Sequence, residues 1–189
     1  MVLKLKNRRE VPKKVLFYGK DGTGKSTKAC QYVKMKGLKA VVIDVDETNF
    51  TECDVLDIDF SNPTQAYTNM IDAINDVKES DYDTLVIDGI TSWIQYITPK
   101  KDPFMAKRNA RFNEFSKELR NSGLNVILIG QVDMYVEDPG KEEKNNKTVV
   151  NLNAWVNEKY YCYKEDGQFK CVSEVVRTFD SNEEVKKDG

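Results

Sequence analysis

The chain has 189 residues, 32% of them charged, and a formal net charge of −2. This length suits one α/β domain with a sizeable core. The near balance of charge excludes a global attraction to nucleic acid, so any such binding must depend on a local basic patch. The chain has no histidine, and its cysteines (Cys30, Cys53, Cys162 and Cys171) lack the C-x-x-C spacing. We therefore expect neither a zinc site nor catalysis by histidine.

The apolar segments of this chain are short. None approaches the roughly 20 residues of a membrane-spanning helix, and the basic residues 1–9 lack the apolar core of a signal peptide. We therefore expect no membrane partner and a cytoplasmic location with reduced thiols. Residues 1–180 are expected to form the one domain, followed by a charged, flexible tail over residues 181–189.

The first predicted elements flank a glycine-rich loop. Residues 15–18 are an apolar and aromatic run that predicts a buried strand, and residues 26–36 indicate a helix. Between them, GKDGTGKS over residues 19–26 fits the pattern G-x-x-x-x-G-K-[ST] of the phosphate-binding P-loop. A chance match in a glycine-rich turn is the alternative, but strand, loop and helix follow in the order that phosphate binding requires.

The P-loop predicts ATP and Mg²⁺ as ligands. Backbone N–H groups of the loop and the positive end of the helix dipole meet the phosphates, and the glycines let the backbone wrap an anion. Lys25 is expected to reach the β- and γ-phosphates, and the Ser26 hydroxyl to ligate Mg²⁺. The predicted nucleotide-binding residues are Gly19, Lys20, Asp21, Gly22, Thr23, Gly24, Lys25, Ser26 and Thr27.

Strands and helices alternate along the next part of the chain. Short apolar runs predict buried strands, and apolar stripes at helical spacing predict helices. The predicted segments are a strand at 39–44, a short edge strand at 54–58, a helix at 64–78, a strand at 84–88, a helix at 103–121 and a strand at 125–130. Helical crossovers between such strands imply the α/β class, with a doubly wound, mainly parallel sheet.

A hairpin is predicted near the C-terminus. Residues 159–164 and 168–176 are suited to strands, and the Asp-Gly pair at 166–167 between them is the signal of a two-residue turn. This turn would place Cys162 opposite Cys171.

Carboxylates follow two of the predicted strands. In an open α/β sheet, ligands bind at the carboxyl ends of the strands. Asp88 ends the strand at 84–88 and is predicted to hold Mg²⁺ directly or through water, the alternative being an Asp that caps the next turn. Asp44, Asp46 and Glu47 follow the strand at 39–44. One of them is a candidate to polarise an attacking water, the alternative being a solvated acidic loop.

The order of these segments resembles the RecA-like branch of P-loop ATPases. An extra strand that ends in carboxylates lies between the P-loop and the Asp88 strand, and a later strand ends next to a glutamine. Within that branch, the chain is most similar to small phage-encoded RecA-core proteins of the Sak type, which act in single-strand annealing and recombination. The blocks that carry the resemblance are residues 19–26, 43–46, 85–91 and 128–131.

The resemblance implies roles for several further residues. Asp46 falls where the family carries its catalytic carboxylate, and Glu47 beside it stays an alternative. Gln131 falls where the family couples the γ-phosphate to a DNA-binding loop, here residues 132–147. Arg177 resembles the basic residue that reaches a neighbouring subunit's nucleotide. The resemblance therefore also implies a homo-oligomer, ring or filament, and the host cytoplasm if the protein is phage-encoded.

Three functions remain open from the sequence. The first is an ATPase acting on single-stranded DNA, the second a nucleotide or small-metabolite kinase, and the third a non-catalytic module whose assembly depends on nucleotide. For the first, cationic and aromatic side chains are candidates for phosphate contacts and base stacking. They are Lys100, Lys101, Lys107, Arg108 and Arg111, with Trp93, Tyr96 and Phe104. The alternative for each of them is a solvated helix face with core aromatics.

Overall fold

The computed structural model describes residues 12–48, 50, 52–97, 106–132, 152 and 155–174, without the side chains of residues 63, 64, 106 and 107. The strands are β1 (Lys14–Gly19), β2 (Ala40–Asp44), β3 (Asp54–Leu56), β4 (Thr84–Asp88), β5 (Asn125–Gln131), β6 (Glu158–Glu165) and β7 (Gln168–Glu174). The helices are α1 (Lys25–Lys36), α2 (Pro63–Lys78), α3 (Ile90–Tyr96) and α4 (Ala106–Asn121).

The strands form one sheet in the order β3-β2-β4-β5-β1-β6-β7. All neighbouring strands are parallel except β6 and β7, which form an antiparallel hairpin. This confirms the predicted α/β class, with its mainly parallel sheet and C-terminal hairpin. The hairpin is not a separate appendage, because β6 pairs in parallel with β1 and so extends the sheet beyond the P-loop strand.

Each face of the sheet is covered by its own core. Leu16 and Tyr18 of β1 point to the face that α2, α3 and α4 cover, whereas Val15 and Phe17 point to the face that α1 covers. Successive side chains of a strand alternate between faces, so a strand buried on both sides needs a continuous apolar run. The run at residues 15–18 is explained by this double burial.

Helix α3 was not predicted from the sequence. It begins directly after Gly89 and has only seven residues. A helix of this length is too short for an apolar period to show in the sequence. The helix places Trp93 in the core, fully buried against the rings of Tyr67 and Phe115. The hypothesis that Trp93 stacks on DNA bases is therefore wrong, because its ring has no access to a ligand.

One member of the predicted basic cluster is also buried. Arg108 of α4 is only 1% exposed, and its guanidinium donates hydrogen bonds to Asn109 Oδ1. The prediction that Arg108 contacts the phosphates of a nucleic acid is therefore wrong. Arg111 is half-buried and donates to the carbonyl of Ile97, whereas Tyr96 is exposed. The other predicted members are outside the described residues: Lys100, Lys101, Phe104 and the side chain of Lys107.

The hairpin has the predicted turn and register. Asp166 and Gly167 both have positive φ angles, of 50° and 75°, as a two-residue hairpin turn requires. Cys162 of β6 lies directly opposite Cys171 of β7, and their sulfurs are 3.2 Å apart with both thiols free.

We expect oxidised glutathione to convert the thiols of Cys162 and Cys171 into an intramolecular disulfide. The neighbouring sulfur resolves the mixed disulfide, so two protein thiols are oxidised while the oxidant is reduced to two glutathione molecules. Mass spectrometry of non-reduced peptides should find residues 162 and 171 cross-linked, and Cys162→Ser should instead retain glutathione on Cys171, because Cys171 is the more exposed of the two thiols. Stable glutathione adducts on the unmodified sequence, without the cross-link, would contradict the observed register.

Candidate nucleotide-binding site

The loop between β1 and α1 has the backbone that an anion cradle needs. Gly22 and Gly24 have positive φ angles, of 68° and 75°, and Gly24 is the N-cap residue of α1. Because a glycine cap carries no side chain, the first N–H groups of α1 are not capped by that residue and face the loop. The N-terminus of a helix with such N–H groups attracts phosphate.

Side chains hold the loop in this shape. Thr23 is buried, and its hydroxyl donates to the carbonyl of Lys20 at 2.7 Å. Lys25 Nζ donates to the same carbonyl at 2.9 Å. The ammonium of Lys25 is therefore kept over the loop, where it adds positive charge to the cradle.

The ends of β2 and β4 bring carboxylates to the loop. Asp44 and Asp88 are paired in register as the last residues of these strands. Ser26 Oγ donates to Asp88 Oδ2 at 2.6 Å, so the two predicted metal ligands are in contact. Burial raises the pKa of the Asp88 carboxyl, and the charges of Asp44 and Asp46 raise it further, against hydrogen bonds from Ser26 and Thr48 that lower it.

These residues fit Mg²⁺. A buried carboxylate beside two other acids gains from a nearby cation, and a serine hydroxyl with one carboxylate is a donor set that Mg²⁺ uses together with phosphate and water oxygens. In the part of the chain that the structure describes, no group of three or more His, Cys, Asp or Glu side chains could hold a metal. Ser26 and Asp88 are therefore a partial set, which phosphate oxygens would complete.

The structure distinguishes the surroundings of Asp46 and Glu47. The Asp46 carboxyl lies against Gly89, where an added Cβ would be 2.5 Å from Asp46 Cγ. Asp46 lines the cavity above the P-loop, whereas Glu47 is not among its lining residues. Glu47 has a φ of 52°, a left-handed conformation that is uncommon for a residue with a side chain. Of these two neighbouring acids, only Asp46 therefore lies at the cavity.

Gln131 also lies beside the P-loop. It is the last residue of β5, opposite Gly19 of β1, and its N–H is 3.4 Å from Thr91 Oγ1. Residues 133–147, which include most of the predicted DNA loop, and Arg177 are outside the described residues.

The candidate residues surround one cavity of about 510 Å³. Its walls are residues 21–27 of the P-loop, Asp46, Thr48, Asp88 and residues 129–131. Another cavity, of about 530 Å³, lies at the opposite end of the sheet and is lined by Lys13, Asp83 and Asn125 among others. That second cavity contains none of the predicted site residues, and it lies at the amino ends of the strands rather than the carboxyl ends.

Thr48 is a site residue that the sequence reasoning missed. Its Oγ1 donates to Asp88 Oδ2 at 3.0 Å and lies 3.2 Å from Asp44 Oδ1, while its N–H donates to Asp44 Oδ1 at 3.0 Å. A threonine in an acidic loop carries no distinctive signal. Thr48 reaches the ends of β2 and β4 only because the chain turns back on itself after β2.

Fold and site together define a P-loop NTPase with a RecA-like fold. Strand β5 lies between the P-loop strand β1 and the Asp88 strand β4, and the serine of the loop contacts Asp88. Residues 11–163 match a family model described as an AAA domain (AAA_24), and the chain belongs to this family.

A solved structure supports the fold. It is the KaiC-like protein from the hyperthermophilic archaeon Pyrococcus horikoshii OT3, with a TM-score of 0.58 and 17% sequence identity over 91% of this chain and 82% of that chain. At this identity the likeness concerns the fold alone. A comparison with curated proteins finds no match.

Within the described segments, no helix has the length and apolarity that crossing a membrane requires.

We expect Gly89→Ala to impair both folding and the site. A left-handed φ of 85° at this position costs a residue with a Cβ about 1–2 kcal/mol, and the methyl group would also displace the Asp46 carboxyl. Gly37→Ala is the matched control, because Gly37 has a φ of 62° but no atom within 4 Å of an added Cβ. Denaturant unfolding and phosphate release should separate the two variants. Equal losses in both would show that Asp46 does not depend on Gly89.

Proposed function

We propose that this protein binds ATP with Mg²⁺, hydrolyses it, and couples the nucleotide to single-stranded DNA in recombination or annealing of the phage type. The observation that carries the ATPase proposal is the hydrogen bond from Ser26 Oγ to Asp88 Oδ2, which joins the P-loop to a strand-end carboxylate. The DNA proposal rests on the resemblance to Sak-type proteins.

In this proposal the loop holds the triphosphate. The N–H groups at the start of α1 and the ammonium of Lys25 balance the phosphate charge, and Ser26 and Asp88 hold the Mg²⁺. The metal ion would neutralise charge on the phosphate oxygens. Phosphoryl transfer needs little covalent chemistry from the protein, so positioning and electrostatics account for most of the catalysis.

Asp46 is our candidate for the general base. It is exposed to the cavity and carries a carboxylate, which suits removal of a proton from an attacking water. Gln131, at the end of β5, lines the same cavity and is our candidate to sense the γ-phosphate. Its backbone leads directly into residues 132–147, so a change at its side chain would bias the start of that segment.

The proposed partners follow from the resemblance. Arg177 would reach the nucleotide of a neighbouring subunit in a homo-oligomer, as a ring or filament. Of the described residues, Arg111 and Tyr96 remain candidates for the nucleic-acid surface, since Arg108 and Trp93 are buried. Binding to single-stranded DNA should weaken strongly with salt, because lysine and arginine contacts release counterions.

The test of this function is phosphate release by the purified protein with Mg²⁺, with and without a single-stranded oligonucleotide. We expect release that the oligonucleotide stimulates and that Lys25→Ala abolishes, because this variant removes the phosphate-facing cation. Transfer of the phosphate to a small acceptor would favour a kinase instead. ATP binding without any turnover would favour the nucleotide-dependent assembly module.

We expect Asp46→Asn to lose hydrolysis while keeping ATP binding, and Glu47→Gln to keep most of both. Both substitutions preserve size and remove one negative charge, so each is the control for the other. Of these two residues, Asp46 lines the cavity and Glu47 does not. Single-turnover phosphate release, with binding measured through a fluorescent ATP analogue, would decide. Loss of hydrolysis in Glu47→Gln alone would assign the base to Glu47.

A further inference from the structure

We propose that Thr48 is a positioning residue that fastens the Asp46-bearing turn to Asp88. The proposal deepens the ATPase function above and rests on it for the kinetic consequences, whereas its structural part concerns the chain alone. We define this turn, residues 45–48, as the acidic turn.

Thr48 lies between the carboxylates that end two neighbouring strands. Its hydroxyl is within hydrogen-bond distance of Asp88 Oδ2, at 3.0 Å, and of Asp44 Oδ1, at 3.2 Å. A hydroxyl has one proton, so these two acceptors share it or alternate. In either case a neutral donor separates two acids whose charges would otherwise repel.

The acidic turn is attached to the sheet at both of its ends. At the first end, the N–H of Val45 donates to the carbonyl of Asp88 at 2.9 Å. At the second end, the hydroxyl of Thr48 reaches Asp88, and its N–H closes the turn on Asp44. The left-handed Glu47 lies just before this second attachment. Asp46 lies between the two attachments, so its carboxyl stays against Gly89 only while both of them hold.

Thr48 also restricts the orientation of Asp88. The hydroxyls of Ser26 and Thr48 both donate to the same oxygen, Oδ2, at 2.6 Å and 3.0 Å. Two donors that approach one oxygen from different elements limit rotation of the carboxylate about its Cβ–Cγ bond. A carboxylate held in one orientation binds a cation without first losing rotational freedom.

Because Thr48 is exposed at the cavity wall and not in the core, substitutions at this position should fold. Thr48→Val keeps the shape and removes the hydroxyl donor, and Thr48→Ser keeps the donor and removes the methyl group. Thr68→Val provides a matched control at an exposed threonine of α2.

The first measurement is hydrogen–deuterium exchange on the nucleotide-free protein, which requires no turnover. We expect the amides of the acidic turn to exchange about tenfold faster in Thr48→Val and at the wild-type rate in Thr48→Ser and Thr68→Val. Unchanged exchange in Thr48→Val would overturn the proposal, even if the protein proves to be no ATPase.

The second measurement is the Mg²⁺ dependence of phosphate release. We expect Thr48→Val to lower kcat about tenfold and to raise the half-saturating Mg²⁺ concentration, with KM for ATP nearly unchanged, since a hydrogen bond to a charged group is lost. Thr48→Ser should restore both quantities. Equal loss in Thr48→Ser would assign the effect to the methyl group and overturn the proposal. A wild-type protein without turnover would remove the proposed ATPase function but leave the exchange result to decide the positioning role.

Discussion

The hydrogen bond from Ser26 to Asp88 joins parts of the chain that are 62 residues apart in sequence. It exists because the parallel strands β1 and β4 end at the same edge of the sheet, with β5 between them. A P-loop by itself supplies N–H groups and the positive end of a helix dipole. A carboxylate at a strand end by itself supplies only a negative charge. Their contact makes one site whose chemistry suits phosphate on one side and a cation on the other.

This arrangement places unfavourable charge in the protein before any ligand binds. Burial raises the pKa of Asp88, and Asp44 and Asp46 contribute in the same direction. A raised pKa means that ionised Asp88 opposes folding at neutral pH, relative to the unfolded chain. A bound cation would relieve that cost, so ligand binding and stability are expected to be linked. The hydroxyls of Ser26 and Thr48 offset part of the cost in the chain alone.

The glycines of the P-loop satisfy a packing constraint as well as a chemical one. A Cβ on Gly19 would lie 2.1 Å from the carbonyl oxygen of Cys162 in β6, and a Cβ on Gly24 would lie 3.0 Å from the ring of Phe169 in β7. The hairpin therefore packs directly against the P-loop. Substitution at either glycine would disturb the hairpin and the cradle together, so such variants do not isolate phosphate binding.

The local features of the protein were determined by its sequence. The strand–loop–helix of the P-loop, the buried strands, Asp88 at a strand end and the Asp-Gly hairpin turn were all predictable, because each depends on neighbouring residues and on the periods of strand and helix. Short helix α3 escaped prediction because seven residues show no clear period.

Relations between distant segments were decided only by the tertiary structure. The burial of Trp93 and Arg108 depends on which helices cover that face of the sheet, and the parallel pairing of β6 with β1 depends on the path of the chain between them. The different surroundings of Asp46 and Glu47, and the contacts of Thr48, depend on a turn with one left-handed residue. Periodicity reports which side of an element is apolar, but not which element lies against that side, because that pairing is a property of the packed sheet.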